Sequence, residues 1–340
     1  MLKKKLGFLL GVMVLLSLAG YLICLLAGGS KQLNKEKDFL LVTSFYPMYI
    51  LAENLTEGVE GVTVSNLTEN QTGCLHDYQL TSRDMKLLAQ ADAFLINGAG
   101  MELFMEKVLE NNTELAIIEA SHGMTLLEGA EHNHDHGGHI DEEPGHEEEY
   151  ETAYDEVSHD DHSHAENGHV WMDVERYRRQ MLTVKEELQQ LLPEQKEALE
   201  ATAADYDTKL QTLVQYVSEL RENTEGVPVV IFHEAFAYLA DSLGMEVLVA
   251  LSLDEETVPS AGEIAEVIEE INFHDGAVIF IERDYAEYAD KILAETDALA
   301  VYLNPLTMGD GNPDSYITEM QKNLDTIFSM PKDIISKMKQ

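Results

Sequence analysis

Two stretches of the chain alternate short apolar runs with helical patterns, and this alternation restricts the fold more than any other feature. The apolar runs cover residues 39–45, 62–64, 93–96 and 115–118 in the first stretch, and 227–232, 247–251, 277–281 and 299–303 in the second. Continuous apolar, β-branched runs of this length are typical of strands buried on both faces of a parallel sheet. The sequence therefore predicts an α/β protein with two (βα)n lobes, each built on a parallel sheet.

A pair of amphipathic helices separates the two stretches. Apolar residues recur at spacings of three and four from Val174 to Leu191, and Pro193 ends that pattern. A second stripe, from Glu194 to Glu222, predicts a helix on the order of 43 Å long at 1.5 Å per residue. Such a helix is suited to joining two lobes rigidly. We therefore expect an N-terminal lobe over residues 39–192, a linking helix over 193–225 and a C-terminal lobe over 226–340.

A histidine- and acid-rich tract interrupts the first stretch. Eight of the 13 histidines lie between His132 and His164, and the net charge of the chain is −41. Neutral imidazole is a preferred ligand of zinc and similar cations, so we interpret residues 131–166 as a disordered, metal-collecting loop. The alternative is a solvated acidic linker with incidental histidines. The acidic charge excludes a nucleic-acid partner, because phosphate binding requires basic patches.

The N-terminus has the pattern of an export signal. Three lysines precede an uncharged apolar run from Leu6 to Ala27, and this order is typical of a secretory signal. We assign residues 1–30 to a signal or membrane anchor. We expect the folded part outside the cytoplasm, tethered by an uncleaved helix or by lipid on Cys24, with a cleaved, secreted or periplasmic form as the second possibility. Cys24 and Cys74 are the only cysteines, so neither a disulfide framework nor a thiolate metal site is expected.

Four candidate metal ligands lie at the ends of predicted elements. His233 and Glu282 follow apolar runs, His76 lies in a loop between a strand and a helix, and His169 ends the acidic tract just before a helix. Ligands of open α/β sheets bind beyond the carboxyl ends of the strands. A lone histidine is usually a core or capping residue, but two candidates from each stretch form a sharper pattern. Three imidazoles and one carboxylate make a plausible four-coordinate zinc shell.

Several motifs give the chain a resemblance to a known family over about residues 39–330. The motifs are Gly73-Cys-Leu-His76-Asp-Tyr78, Asn97-Gly-Ala-Gly-Met-Glu102, His169-Val-Trp-Met-Asp173 and His233-Glu-Ala-Phe-Ala-Tyr-Leu239. They resemble those of the zinc/manganese solute-binding proteins of bacterial ABC uptake systems (ZnuA-type, cluster A-I). The first motif departs from the family pattern, because the Asp-Pro that precedes the histidine is missing. Glu282 occupies the position of the family's variable fourth ligand.

The resemblance implies a two-lobed monomer with a rigid linking helix and one metal ion in the cleft between the lobes. It implies that His76, His169, His233 and Glu282 bind the ion. Histidine at the third position favours zinc, because imidazole suits Zn²⁺ and harder oxygen ligands suit Mn²⁺. The chain would then capture zinc outside the cytoplasm and deliver it to a membrane permease with a separate ATPase subunit.

Three other functions are considered. A manganese-binding homologue would share the fold, and a surface zinc buffer or adhesin would use only the acidic loop. An extracytoplasmic metallohydrolase is the enzyme alternative, because His233-Glu234 begins like a His-Glu-x-x-His helix. Ala237 stands where the second histidine of that motif is required. We therefore expect no catalytic residues.

Overall fold

The computed structural model describes residues 38–68, 75, 78–105, 107–108, 114–129, 166–251 and 258–339. The described helices and strands belong to one compact unit, Phe39–Gln340. The predicted signal or anchor, His76 and nearly all of the histidine-rich tract lie outside the described residues. Within the described part of the chain, no helix combines the length and apolarity needed to cross a bilayer.

The first lobe contains a four-stranded parallel sheet. Its strands are β1 (Phe39–Thr43), β2 (Val62–Asn66), β3 (Ala93–Ile96) and β4 (Ala116–Glu119), in the order β2-β1-β3-β4. Helix α1 (Tyr46–Thr56) connects β1 to β2, and α2 (Ser82–Leu88) precedes β3. A capping box between Thr81 and Asp84 starts α2.

The segment after β3 forms a turn before its helix begins. Residues 103–104 belong to this turn, and Met105 is the first helical residue there. The Glu102 carboxylate explains the delay, because it accepts hydrogen bonds from the backbone N–H groups of Asn97 (2.8 Å) and Gly98 (3.0 Å). These bonds hold residues 97–102 in a tight turn, in which Gly98 has a φ of 77° that only glycine adopts without strain.

Two long helices follow, as predicted. Helix α3 covers Val174–Leu191, and the Asp173 side chain caps its N-terminus. A short 3₁₀ turn at Pro193–Gln195 replaces the predicted start at Glu194, and the 29-residue helix α4 covers Lys196–Thr224. The buried side of α4 packs along α3 and α1 of the first lobe before the chain enters the second lobe.

The second lobe repeats the topology of the first. Its strands are β5 (Pro228–Ile231), β6 (Glu246–Ala250), β7 (Val278–Ile281) and β8 (Leu299–Tyr302), all parallel, in the order β6-β5-β7-β8. The helices are α5 (Ala235–Ser242), α6 (Ala261–Phe273) and α7 (Ala286–Leu293). A capping box between Ser260 and Glu263 starts α6. The prediction of two parallel-sheet α/β lobes with a long helix is confirmed.

The C-terminal helices return to the first lobe. Helix α8 (Ser315–Phe328) packs against α4 and α1, and α9 (Lys332–Met338), which the sequence analysis did not predict, follows it. One hydrophobic core accordingly contains side chains from both lobes, and a second, smaller core lies within the second lobe. This shared core holds the two sheets in a fixed relation.

Candidate metal centre

Two predicted ligands come together at the carboxyl edge of the second sheet. His233 follows β5 and Glu282 follows β7, and these two strands are hydrogen-bonded neighbours. Nδ1 of His233 lies 2.7 Å from Oε1 of Glu282. The carboxylate can only accept when it is ionised, so Nδ1 carries the proton and Nε2 carries the lone pair that can bind a metal.

The first lobe contributes His169, which is 1% exposed. Its ring centre lies 5.1 Å from that of His233, and the two ring planes are inclined at 84°. Two zinc–nitrogen bonds of about 2.0–2.1 Å at a tetrahedral angle also put imidazole centres about 5 Å apart. The spacing of the two imidazoles therefore fits a single zinc ion between them.

Asn167 holds the imidazole of His169. Its side-chain oxygen lies 2.9 Å from the backbone nitrogen of His169 and 2.9 Å from Nδ1 of the same residue. The Asn167 amide nitrogen donates to the Glu234 carbonyl at 3.0 Å, on the residue after His233. Asn167 thus links the His169 imidazole of the first lobe to the residue after His233 in the second lobe.

His76 lies outside the described residues, together with Asp77. The residues on either side are described: Leu75 is 1% exposed, and the Tyr78 hydroxyl donates to Asp84 at 2.8 Å. Burial, followed by this hydrogen bond, raises the pKa of Tyr78, so the hydroxyl keeps its proton and remains a donor. Tyr78 therefore anchors the chain two residues after His76.

In the described part of the chain, no three histidine, cysteine or carboxylate side chains are arranged around one point as a metal shell. His169 lies close to His233, and His233 lies close to Glu282. A complete shell of the predicted kind requires the fourth ligand, His76, and Glu282 must direct an oxygen to the ion. His122, whose side chain is 81% exposed, and His274 each lie beside a glutamate, Glu119 and Glu270 respectively, on their own local segments.

The contacts of Trp171 explain why a tryptophan lies two residues after His169. Its indole N–H donates to the Pro305 carbonyl at 2.9 Å, and its own carbonyl accepts from the Tyr316 hydroxyl at 2.7 Å. Both partners belong to the segment after β8. Trp171 is fully buried and packs edge-on to Phe45. Two residues after the imidazole, the chain is therefore fixed at the seam between the lobes.

A buried carboxylate lies further behind His169. Asn97, whose backbone N–H binds Glu102, donates from its side chain to the Gly168 carbonyl at 2.8 Å. Burial, the largest influence, raises the pKa of Glu102 to about 7, although the nearby Ser44 hydroxyl and the hydrogen bonds from the backbone of Asn97 and Gly98 act in the opposite direction. These hydrogen bonds fix the position of the backbone at Gly168, immediately before His169.

His169, His233 and Glu282 could be identified as candidates from the sequence, but Asn167 could not. Asparagine two residues before a histidine in a His-x-Trp motif was the only available signal. Its role depends on Glu234, which is 67 residues away in the chain.

Comparison with known proteins establishes the family. The model of the zinc-uptake complex component A, periplasmic (ZnuA), matches residues 41–330. The chain belongs to this family. The resemblance stated from the motifs is thereby confirmed.

Curated relatives include two named zinc proteins. The zinc-binding lipoprotein AdcA of Streptococcus pneumoniae is 28% identical over 323 residues, which cover 92% of this chain and 60% of the relative. The high-affinity zinc uptake system protein ZnuA of Bacillus subtilis is 26% identical over 301 residues, covering 86% of this chain and 88% of the relative. The chain spans less than two thirds of the length of the AdcA proteins that it matches.

Solved structures show the same fold. The Pseudomonas aeruginosa solute-binding protein FpvC in complex with Ni²⁺ aligns with a TM-score of 0.68 at 22% identity, covering 88% of this chain and 97% of that one. Zn(II)-bound AdcA of Streptococcus pneumoniae aligns with a TM-score of 0.65 at 24% identity, covering 89% and 58%. At these identities the likeness supports the fold alone.

Proposed function

We propose that this chain is the extracytoplasmic zinc-binding component of a bacterial ABC-type uptake system. It captures Zn²⁺ between its lobes and delivers the ion to a membrane permease driven by a separate ATPase. The observation that carries the proposal is the approach of His169 and His233, from different lobes, to 5.1 Å between ring centres. Membership of the zinc-uptake family and the names of the relatives support the cargo.

The proposed shell is His76, His169, His233 and Glu282. A set with three imidazoles favours Zn²⁺ over Mn²⁺, because manganese prefers a larger share of oxygen ligands. Four protein ligands also leave no open position for an activated water, so the site is suited to holding an ion rather than to hydrolysis. The proposed place of action is outside the cytoplasm, on the membrane or free of it.

Calorimetric titration of the full chain with zinc, with Mn²⁺ in competition, tests the cargo. The matched variant replaces residues 131–165 by a short Gly-Ser turn and keeps the bridge between Glu128 and Glu166 at the base of the tract. We expect one tight zinc site to survive in this variant, with Mn²⁺ unable to displace the ion at equal concentration. Loss of all tight binding on deletion would instead assign the protein as a buffer that uses only the acidic tract.

A growth experiment tests the transport role. Removal of this chain from its own bacterium should slow growth in zinc-depleted medium, and added zinc should restore growth. Normal growth of the deletion strain in depleted medium, in a background without a second zinc importer, would contradict transport.

A further inference from the structure

We infer that Asn167 is a positioning residue of the zinc site: it selects the tautomer of His169 and sets the distance between His169 and the second lobe. This inference rests on the proposed function, because it concerns one of the proposed ligands. It assigns a specific task to a residue that does not itself bind the ion.

The orientation of the Asn167 amide is determined by backbone groups of fixed polarity. Its oxygen faces the backbone N–H of His169 at 2.9 Å, which can only donate. Its nitrogen faces the carbonyl of Glu234 at 3.0 Å, which can only accept. If the amide were flipped, its NH₂ group would face the N–H of His169 and its oxygen would face the carbonyl of Glu234. Neither pair can form a hydrogen bond, so the oxygen is the atom that faces His169.

The same oxygen lies 2.9 Å from Nδ1 of His169. An amide oxygen only accepts hydrogen bonds, so Nδ1 must be the protonated ring nitrogen and Nε2 must carry the lone pair. Hydrogen bonds of this kind fix the tautomer and ring orientation of metal-binding histidines, and their loss weakens metal binding. Asn167 thus prepares His169 for coordination through Nε2.

Asn167 also holds the distance across the lobes. Its backbone carbonyl accepts from the Tyr238 hydroxyl on α5 at 2.7 Å, and Tyr238 in turn accepts from the Leu127 N–H at 3.1 Å. Together with the bond to Glu234, this gives Asn167 two contacts with the second lobe, on either side of the start of α5. At 2% exposure, these bonds are shielded from competing water.

The test compares four variants of the full chain by zinc titration. Asn167→Ala removes both amide functions, Asn167→Asp keeps the acceptor for Nδ1 but loses the donor to Glu234, and His169→Ala removes the ligand. Asn54→Ala is the matched structural control: Asn54 is buried and donates to the carbonyls of Ile50 and Pro313, joining α1 to the segment before α8.

We expect Asn167→Ala to weaken zinc binding by roughly 10- to 100-fold, the usual effect of losing an outer partner of a ligand. Asn167→Asp should fall between this variant and the parent, and Asn54→Ala should bind zinc like the parent even if its melting temperature falls. A parent-like affinity for Asn167→Ala, or an equal loss in Asn54→Ala, would overturn the inference.

A spectroscopic readout separates positioning from general stability. Long-range ¹H–¹⁵N correlation of histidine-labelled, zinc-free protein at about pH 8, where imidazoles are neutral, reports the tautomer; the signals missing in His169→Ala identify the residue. We expect the Nδ1–H form in the parent and in Asn167→Asp, and a mixture in Asn167→Ala. An Nε2–H form in the parent would refute the inference.

The proposed zinc site and the proposed role of Asn167 are contradicted by different results. If His169→Ala retains the tight zinc site, the proposed site itself is wrong. If His169→Ala loses the site while Asn167→Ala keeps it, the proposed function stands and only the role of Asn167 is wrong.

Discussion

The two described imidazoles of the candidate site are held by different chemical groups. A neutral amide, from Asn167, accepts from Nδ1 of His169, whereas a carboxylate, from Glu282, accepts from Nδ1 of His233. Both arrangements place the ring lone pair on Nε2, the atom that would bind the proposed ion, but only the carboxylate adds negative charge and raises the basicity of the imidazole. The two lobes share one topology and still prepare a ligand in two ways.

The lobes also differ in where they keep an acidic side chain. In the second lobe, Glu282 touches the imidazole directly, and its side chain is 22% exposed at the cleft. In the first lobe, the buried carboxylate of Glu102 binds the backbone of Asn97 and Gly98 and acts on His169 only through the neighbouring loop. Glu282 thus contacts a proposed ligand, whereas Glu102 contacts the backbone of the loop next to the other proposed ligand.

The largest expected effect is the loss of either imidazole. His169→Ala and His233→Ala should each weaken zinc binding by at least about 100-fold, because each removes a ligand of a four-coordinate ion. Competitive titration against a chromogenic chelator measures the change. His122→Ala is the control, since the His122 side chain is 81% exposed in a local turn. Tight binding that survives either substitution would remove that imidazole from the shell.

Zinc binding through the histidine ligands should weaken as the pH falls. Ligating histidines must be neutral, and an unperturbed imidazole has a pKa of about 6.5, so protons compete increasingly with zinc below that value. We expect affinity to fall by at least roughly 100-fold between pH 7 and 5.5, because each imidazole of the proposed shell contributes about tenfold. Titration in buffers of matched ionic strength gives the profile. A flat profile over this range is incompatible with a histidine-based site.

Substitution of Glu282 distinguishes a ligand from a partner of His233. If the carboxylate binds zinc, as we propose, Glu282→Gln and Glu282→Ala should lose affinity to a similar extent, roughly 10- to 100-fold. The glutamine amide can still accept from Nδ1 of His233, but it is a poorer zinc ligand than a carboxylate. Parent-like binding by Glu282→Gln, with a loss in Glu282→Ala, would restrict Glu282 to orienting His233.

The last prediction concerns protein stability and the buried acid of the first lobe, Glu102. The pKa of Glu102 in the folded protein is raised from 4.5 to about 7. The folded state therefore binds more protons than the unfolded state between these two values, and stability falls as the pH rises from about 4.5 to 7. At about 1.4 kcal/mol per pKa unit, Glu102 contributes a loss of about 3 kcal/mol across this window.

Denaturant unfolding of the parent and of Glu102→Gln over pH 4.5–8 measures that contribution. The parent should lose stability relative to the variant as the pH rises, and the difference should level off above about pH 7. Parallel curves for the two proteins would show that the carboxylate titrates normally. The slope is the readout, because the glutamine amide also alters the hydrogen bonds to Asn97 and Gly98.

Much of the architecture was predictable because it depends on local patterns. Buried parallel strands are continuous apolar runs, and the capping box at Ser260 and Glu263 lies within four residues of sequence. The positions of His233 and Glu282 followed from the rule that functional side chains lie at carboxyl ends of parallel strands. Their adjacency required only that β5 and β7 be neighbours.

The remaining features depend on particular side-chain hydrogen bonds, some of them local and some between distant residues. The delayed helix after β3 results from the Glu102 side chain turning back onto the backbone, which competes with helical propensity. Asn167 gains its role from Glu234 and Tyr238, on a different lobe. The spacing of apolar residues in the sequence carries no information about such hydrogen bonds. His76 remains a prediction, because it lies outside the described residues.

The hydrogen bonds of Trp171 restrict how a bound ion could leave the proposed site. Movement of the segment after β8 away from Trp171 would break the Trp171–Pro305 and Tyr316–Trp171 hydrogen bonds together and expose a fully buried indole to water. Rotation of one imidazole or of the Glu282 carboxylate breaks neither bond. For the proposed site we therefore expect an ion to leave by a small side-chain rearrangement, with an exchange rate that depends on His169, His233 and Glu282 more than on the long helix.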